Sequence, residues 1–212
     1  RDLWARVWMG ARVSLLIGFL ATVINSCIGA CVGGIAGYLG GRVDMFFMRL
    51  IDVLSAIPYM IVAILAMVVL DTGMHTLIIA LVLVGWIKSA RLVRGQVLQL
   101  KHQEFVLAAR KLGASDARII LRHLLPNTLG LIITDLTMAV PYAIFTEAFL
   151  SYIGLGIQPP ESSWGLLARY GAQNFRACPF QLFIPATCIS LTMLSLNLFG
   201  DGLRDALDPR VR

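Results

Sequence analysis

Long apolar runs alternate with short polar breaks along this chain, and each run approaches membrane-spanning length. The first, about 13–38, is interrupted only by small or uncharged polar residues such as Asn25 and Ser26. The second, about 53–70, follows Arg49 and Asp52 and carries Pro58 near its start; Asp71 to His75 then make a short turn. The third, about 76–94, frays into charge from Lys88 onward. The fourth, about 129–153, holds Asp135, Pro141 and Glu147, and the fifth, about 181–199, holds Pro185 and Asn197. A bilayer core asks for about 20 mostly apolar residues per helix. The pattern therefore predicts an all-α integral membrane protein, a five-span helical bundle forming one domain over 1–212.

Between the third and fourth runs lies a basic island, Lys88 to Asn127, whose loop portion covers about 95–127. Lys88, Arg91, Arg94, Lys101, Arg110, Lys111, Arg118 and Arg122 stand there against only Glu104 and Asp116. A charged stretch of that length does not lie in hydrocarbon, so it is expected to fold outside the bilayer and offer a docking surface to a soluble partner. Gln103 to Leu112 is helix-forming, and Gly113 suits the left-handed residue that ends a helix. Ser115-Asp116 can cap a second helix, expected to stop at Leu125-Pro126. Phe105, Ala108, Ala109 and Leu112 fall at i, i+3, i+4 and i+7, which predicts a narrow face of one ring and small residues. That face suits either the bilayer surface or a groove on a soluble subunit.

Composition agrees with the membrane assignment. The chain is 58% hydrophobic and 14% charged, with a mean hydropathy of +0.80, where soluble domains run about 25% charged. Cytoplasmic loops carry the excess of Lys and Arg. Placing the island inside puts Arg42, Arg49, Arg204, Arg210 and Arg212 there too, thirteen of the 18 basic residues. This predicts an external N-terminus and a cytoplasmic C-terminus, and it explains the net charge of +6 without nucleic acid. Arg1 to Arg12 has no apolar signal-peptide core, so an external N-terminus predicts a preceding span, giving six with both ends in the cytoplasm.

The chemistry-bearing residues argue against an enzyme. Cys27 and Cys31 share a face at i, i+4, which suits packing better than metal, and neither Cys178 nor Cys188 adds a zinc spacing. No metal site and no bound cofactor are expected. Lys88-Ser89 follows Ile87 where a phosphate-binding loop needs Gly, so the chain is not expected to hydrolyse ATP by itself. His75, His102 and His123 form no H-E-x-x-H pair, and no serine sits in a G-x-S-x-G turn. A transport or scaffold role is the expectation.

Leu107-Ala108-Ala109, Gly113 after three residues, and His123-Leu124-Leu125-Pro126 after nine more resemble the EAA loop of ABC importer permeases, E-A-A-x3-G-x9-I-x-L-P. Leu107 replaces the Glu and His123 the Ile of that pattern; Glu104, one turn earlier, is a candidate substitute for the Glu. Gly37-Tyr38-Leu39-Gly40-Gly41, the run from Gly154-Leu155-Gly156 through Pro159-Pro160 to Ser163-Trp164-Gly165, and the tail from Asn197 to Arg210 are similar to the second permease subunit of dipeptide, oligopeptide and nickel importers. The resemblance implies a type I importer permease fold in a bacterial cytoplasmic (inner) membrane. It implies a homologous partner permease in a heterodimer, two ATPase subunits holding ATP and Mg, and an external substrate-binding protein. It further implies that Glu104, Phe105, Leu107, Ala108, Ala109, Gly113 and Pro126 couple the permease to an ATPase subunit. Short peptides are the implied substrate, with nickel or a metal chelate as the alternative.

Three prolines and two carboxylates remain. Pro58, Pro141 and Pro185 remove helical hydrogen bonds, so each is a candidate kink or gate. Asp135 and Glu147 are ionisable groups at membrane depth, functional candidates by default. They stand twelve residues apart, about 18 Å on a straight helix, and cannot form one site. They are expected to face the permease interior and pair with partner-subunit or backbone groups; a proton-coupled carrier would use them as relays but leaves the island without a role. The outer loop, about 158–180, carries Trp164, Arg169, Tyr170, Phe175 and Arg176, and predicts a short interfacial helix.

Overall fold

A computed structural model describes residues 2–207, and among these every regular element is helical. The order is α1 (Leu3–Leu39), α2 (Gly41–Ser55), α3 (Tyr59–Val69), α4 (Met74–Leu100), α5 (Glu104–Lys111), α6 (Asp116–Ile119), α7 (Leu125–Ile153), α8 (Trp164–Gln173) and α9 (Phe180–Leu207). A π-helical turn, Ile120–Leu124, joins α6 to α7. Among the described residues four stretches are long and apolar enough to cross a bilayer: Leu3–Leu39, Met74–Leu100, Asp116–Ile153 and Phe180–Ala206.

The apolar run 53–70 does not make one helix. Val53, Leu54 and Ser55 close α2, α3 begins at Tyr59 directly after Pro58, and the two helices meet at 79°. Pro58 supplies no N–H and drives Ile57 away from helical geometry, so it separates two helices instead of kinking one. At eleven residues, α3 is about 16 Å long and crosses a membrane only together with α2. Elsewhere the helices outrun the apolar pattern. α1 starts at Leu3, since nothing from there to Arg12 breaks a helix, α4 runs through Gly95 to Leu100, and α9 passes Gly200 and Gly202 to Leu207.

The chain divides into two compact units. The first comprises Arg1–Val23, Tyr59–Leu83 and Thr137–Arg212. Its core joins Ile17 and Ala21 of α1, Ala63 and Met67 of α3, Leu77 and Leu81 of α4, Leu150 of α7 and Leu166 of α8. Gly18 lets α1 lie against Ile144, where an added Cβ would come within 2.5 Å of a side-chain carbon. Helix α8 is bolted to α1 by Trp164, whose indole N–H donates to the Val7 carbonyl (3.1 Å) and whose backbone N–H donates to Ser14 Oγ (3.2 Å).

The second unit comprises Ile24–Pro58 and Val84–Leu136. Gly29, Gly33 and Gly37 recur every four residues along α1 and face α4. A Cβ at Gly29 would lie 2.6 Å from Cβ of Ser89, and one at Gly37 would lie 3.0 Å from the Arg94 carbonyl oxygen. Small residues at such spacing let helices approach closely where lipid supplies no hydrophobic drive between them. Around that contact Val93, Val97, Val106, Ile119, Ile120 and Leu124 form one buried cluster with Ala30 and Tyr38, so the basic island is packed into the unit's core.

Candidate coupling surface

The island folds from its own local signals. α5 opens with Glu104 in its first turn and closes with Arg110 and Lys111 in its last, the charge order a helix dipole favours. Gly113 follows the C-cap Leu112 with φ +77°. Its N–H donates to the Arg110 carbonyl (3.1 Å), and Ala114 N–H donates to the Ala109 carbonyl (3.1 Å). These two bonds are the Schellman closure of a helix. Ser115 then caps α6, its hydroxyl oxygen accepting from Arg118 N–H at 3.4 Å.

The second helix does not stop at Leu125-Pro126 as the sequence predicts; Pro126 stands inside a continuing helix, second residue of α7. A proline there would press its ring on the carbonyl four residues back. The π-helical turn just ahead widens the backbone: Leu125 N–H reaches the Ile120 carbonyl, five residues earlier. Asn127 Nδ2 donates to the His123 carbonyl at 2.6 Å.

Packing splits the face predicted for α5. Val106 and Ala109 are buried against the chain's own body, whereas Phe105, Ala108 and Leu112 are exposed, Leu112 to 88%. Leu107, at the position where the resemblance has Glu, is also exposed, and so are Glu104 and Pro126. Ala109, expected to face a groove on a partner, is buried within this chain instead. The surface available to a partner is Phe105, Ala108 and Leu112, edged by Glu104, Leu107 and Lys111.

A polar clamp, which the sequence reading missed, fastens this surface to α1. Tyr38 Oη donates to Asp116 Oδ1 (2.8 Å) and accepts from Arg110 Nη2 (3.1 Å), while the Arg110 guanidinium lies 5.4 Å from the centre of the Tyr38 ring. The bond to Tyr38 pushes the Arg110 pKa further above its ordinary value, so the cation is permanent. Lys101 Nζ donates to the Gly37 carbonyl (3.0 Å). Arg94 of α4 grips Asp44 of α2 with two parallel bonds, Nε to Oδ1 and Nη2 to Oδ2, the latter 2.5 Å. Gly37-Tyr38-Leu39-Gly40-Gly41 carried part of this signal: Gly40 and Gly41 adopt φ +66° and +54°, turning the chain straight after the clamp.

The remaining candidates scatter. Pro141 and Pro185 lie buried inside α7 and α9. Asp135 belongs to the second unit and Glu147 to the first. Both find partners within the chain, contrary to the expectation of partner-subunit or backbone groups. Asp135 accepts from Ser89 Oγ (2.5 Å) and pairs with Lys88 at 3.4 Å. Glu147, fully buried, accepts from Ser151 Oγ (2.8 Å), and Ser14 and Ser163 face it. Those serines use their oxygens to accept from Trp164 N–H, Leu166 N–H and Ile157 N–H. Cys27 and Cys31, expected to pack, are exposed in this chain.

Comparison with known proteins places this arrangement. Residues 29–212 match the family described as binding-protein-dependent transport system inner membrane component. The chain is 51% identical to the oligopeptide transport system permease protein OppC of Bacillus subtilis over 212 residues, covering 100% of this chain and 70% of that protein. It is 52% identical to the dipeptide transport system permease protein DppC of the same organism, covering 100% and 67%. It is 44% identical to the glutathione transport system permease protein GsiD of Escherichia coli, covering 100% and 70%. Among solved structures, a chain of the MetNI methionine ABC transporter in inward-facing conformations superposes with a TM-score of 0.77 at 16% identity, covering 97% of this chain and 98% of that one. At that identity the likeness is one of fold.

Proposed function

The chain belongs to the family of binding-protein-dependent transport system inner membrane components, and on that premise we propose that it is one of two homologous permeases that together form a path for short peptides. An external binding protein delivers the peptide, and two ATPase subunits holding ATP and Mg supply the energy. The basic island is then cytoplasmic and the 158–180 loop external. The observation that carries the reading is the exposed edge of α5: Phe105, Ala108 and Leu112 stand out from a helix whose opposite side, Val106 and Ala109, is locked into the permease.

The geometry suits transmission of a push. A small residue flanked by two large apolar ones fits a shallow recess on a soluble subunit, as in helix-in-groove recognition. When the ATPase dimer closes on ATP, the recess moves and α5 moves with it. The Schellman turn holds α5 to α6, and Tyr38 ties both to α1, so α5 does not shift alone. Packed elements with two arrangements are what carries such coupling across a molecule.

The test is uptake by proteoliposomes holding this chain, its partner permease and the ATPase subunits. Radiolabelled di- to pentapeptides are presented with the binding protein outside and ATP inside. Uptake that needs both ATP and binding protein is expected. Uptake driven by a proton gradient with the ATPase subunits removed would overturn the proposal in favour of a carrier.

A further inference from the structure

A small cavity opens at one end of the first unit, where the start of α1 meets α8 and the first turn of α9. It measures about 90 Å³ and is lined by Leu3, Arg6, Leu167, Tyr170, Gly171 and Gln181. A water needs only about 10–15 Å³, so a group of several heavy atoms fits. Gly171 makes the junction: a Cβ there would come within 2.5 Å of the Gln181 carbonyl group, so a bare backbone lets α8 touch α9 this closely.

The three polar side chains of the lining have no partner of their own. Arg6, Tyr170 and Gln181 are each partly buried, yet among the described residues none of them has a side-chain hydrogen bond or an ion pair. A guanidinium, a phenol and an amide around one cavity offer a planar fork and two further donors to an oxyanion.

The level of the cavity relative to the bilayer follows from α9. From Phe180 to Gly200 this helix carries no charged residue, and Arg176 and Asp201 are the nearest charges on either side. At 1.5 Å per residue that uncharged stretch is about 30 Å long, the thickness of the hydrocarbon core. It has no slack to slide, so Gln181 lies at the edge of the core and the cavity lies at headgroup level. The exposed rings agree. Trp4 and Trp8, in the same turns of α1 as Leu3 and Arg6, stand edge to face at 5.6 Å and are 65% and 58% exposed. Tryptophan collects where the core meets the headgroups. Phe175 and Phe183, also exposed, stand 6.0 Å apart beside the start of α9.

We propose that this cavity binds the phosphate of an anionic phospholipid, with Arg6 taking two phosphate oxygens and Tyr170 and Gln181 closing on the headgroup. Basic pockets between spanning helices hold headgroups in this way. An anionic lipid fits best because no carboxylate of the chain neutralises Arg6, whereas a zwitterionic headgroup brings a second cation to the site. The competing occupant is an acidic side chain of an external protein; the place at the core edge, flanked by exposed rings, favours lipid. The proposal needs the membrane assignment and not the identity of the transported solute.

The test uses the chain assembled with its partner permease and ATPase subunits in phosphatidylcholine nanodiscs, doped with a phosphatidylglycerol probe whose headgroup is photoreactive. Illumination should attach the probe to segments 3–8 and 167–183, located by mass spectrometry of the digested chain. Excess unlabelled phosphatidylglycerol should suppress these adducts, and millimolar inorganic phosphate should not. Arg6→Gln should cut the adduct yield about tenfold, the loss of a charged hydrogen bond, and Arg6→Lys should keep more of it. Tyr170→Phe should lower the yield several-fold while keeping the ring that packs on the core, and it decides the matter if Arg6→Gln does not assemble. Arg176→Gln, exposed and outside the cavity, should match the parent. Adducts spread evenly over the spanning helices, or equal yields from the parent, Arg6→Gln and Tyr170→Phe, would overturn the proposal. Equal losses for Arg176→Gln and Arg6→Gln would show that surface charge suffices and would overturn it too, as would suppression by inorganic phosphate, the sign of a free-anion site. Weaker docking of an external binding protein to Arg6→Gln, with adducts unchanged, would assign the cavity to an acidic side chain instead.

Discussion

Tyr38 Oη lies 2.8 Å from Asp116 Oδ1, joining the last turn of α1 to the first residue of α6 across 78 positions of sequence. Arg110 closes the same hydroxyl from α5 at 3.1 Å. One phenol thus holds both halves of the island's helix-turn-helix to α1, and on the proposed reading this clamp is where a push on α5 would reach α1.

Replacing Tyr38 by Phe keeps the ring and its stacking under Arg110 but removes both hydrogen bonds. A bond to a carboxylate that is partly exposed contributes about 1–2 kcal/mol, so assembly should survive. The expected result is several-fold more ATP hydrolysed per peptide imported, measured as the ratio of ATPase rate to uptake on one preparation. Asp116→Asn in the Tyr38→Phe background should add little, since the two act through one bond. An unchanged ratio would make the clamp a static support.

Ala108 and Ala109 are neighbours in sequence with opposite roles. Ala108→Trp places a ring on the exposed edge of α5 and should release the ATPase subunits on co-purification while leaving the thermal unfolding of the permease unchanged. Ala109→Trp should overpack the interior at a cost of about 1–3 kcal/mol and lower the unfolding temperature first. Equal effects of both on subunit binding alone would contradict the inward placement of Ala109.

Gly113 has open space around the position a Cβ would take, with nothing within 4 Å, and a φ of +77°. Substitution there is opposed by backbone conformation alone. Gly113→Val should destabilise the turn by about 1–2 kcal/mol and Gly113→Asn by much less, because Asn tolerates the left-handed region. Thermal unfolding of the purified permease, read beside the ATPase-to-uptake ratio, checks both; equal losses for Val and Asn would point to a side-chain clash.

Topology is tested with Ser115→Cys and Glu161→Cys in a background lacking the native cysteines. Both positions are exposed, whereas the adjacent Ser162 is 8% exposed and unsuitable. An impermeant thiol reagent applied outside intact cells should label Glu161→Cys only. Labelling of Ser115→Cys from outside would reverse the orientation read from the basic residues.

The helices and the two turns of the island were legible because their causes are local. Apolar runs near bilayer length announce α1, α4, α7 and α9, and a glycine after the last helical residue of α5 and a serine before α6 carry their backbone preferences with them. The break at Pro58 was visible as a proline, but the packing of Ile51 of α2 with Ile87 and Ala90 of α4 was not. The same limit applied at Pro126, where local rules predict a stop and a widened turn, stabilised by the burial of Ile120 and Leu124, carries the helix through.

What the sequence by itself determined was class and inventory: a multi-span membrane protein with a basic island, holding Ala-Ala, Gly and Leu-Pro in register. Tertiary structure decided which way each side chain looks. Phe105, Val106, Ala108, Ala109 and Leu112 are all apolar, so periodicity alone does not separate the inside of α5 from the outside. Val93 and Val97 of α4 and Ile119 and Ile120 beyond α5 share the core with Val106, and they set that orientation. Tyr38 with Asp116, Arg94 with Asp44, and Lys88 with Asp135 are likewise partners only after distant segments meet. A charged hydrogen bond depends on a few tenths of an ångström, a distance that only the packed helices specify.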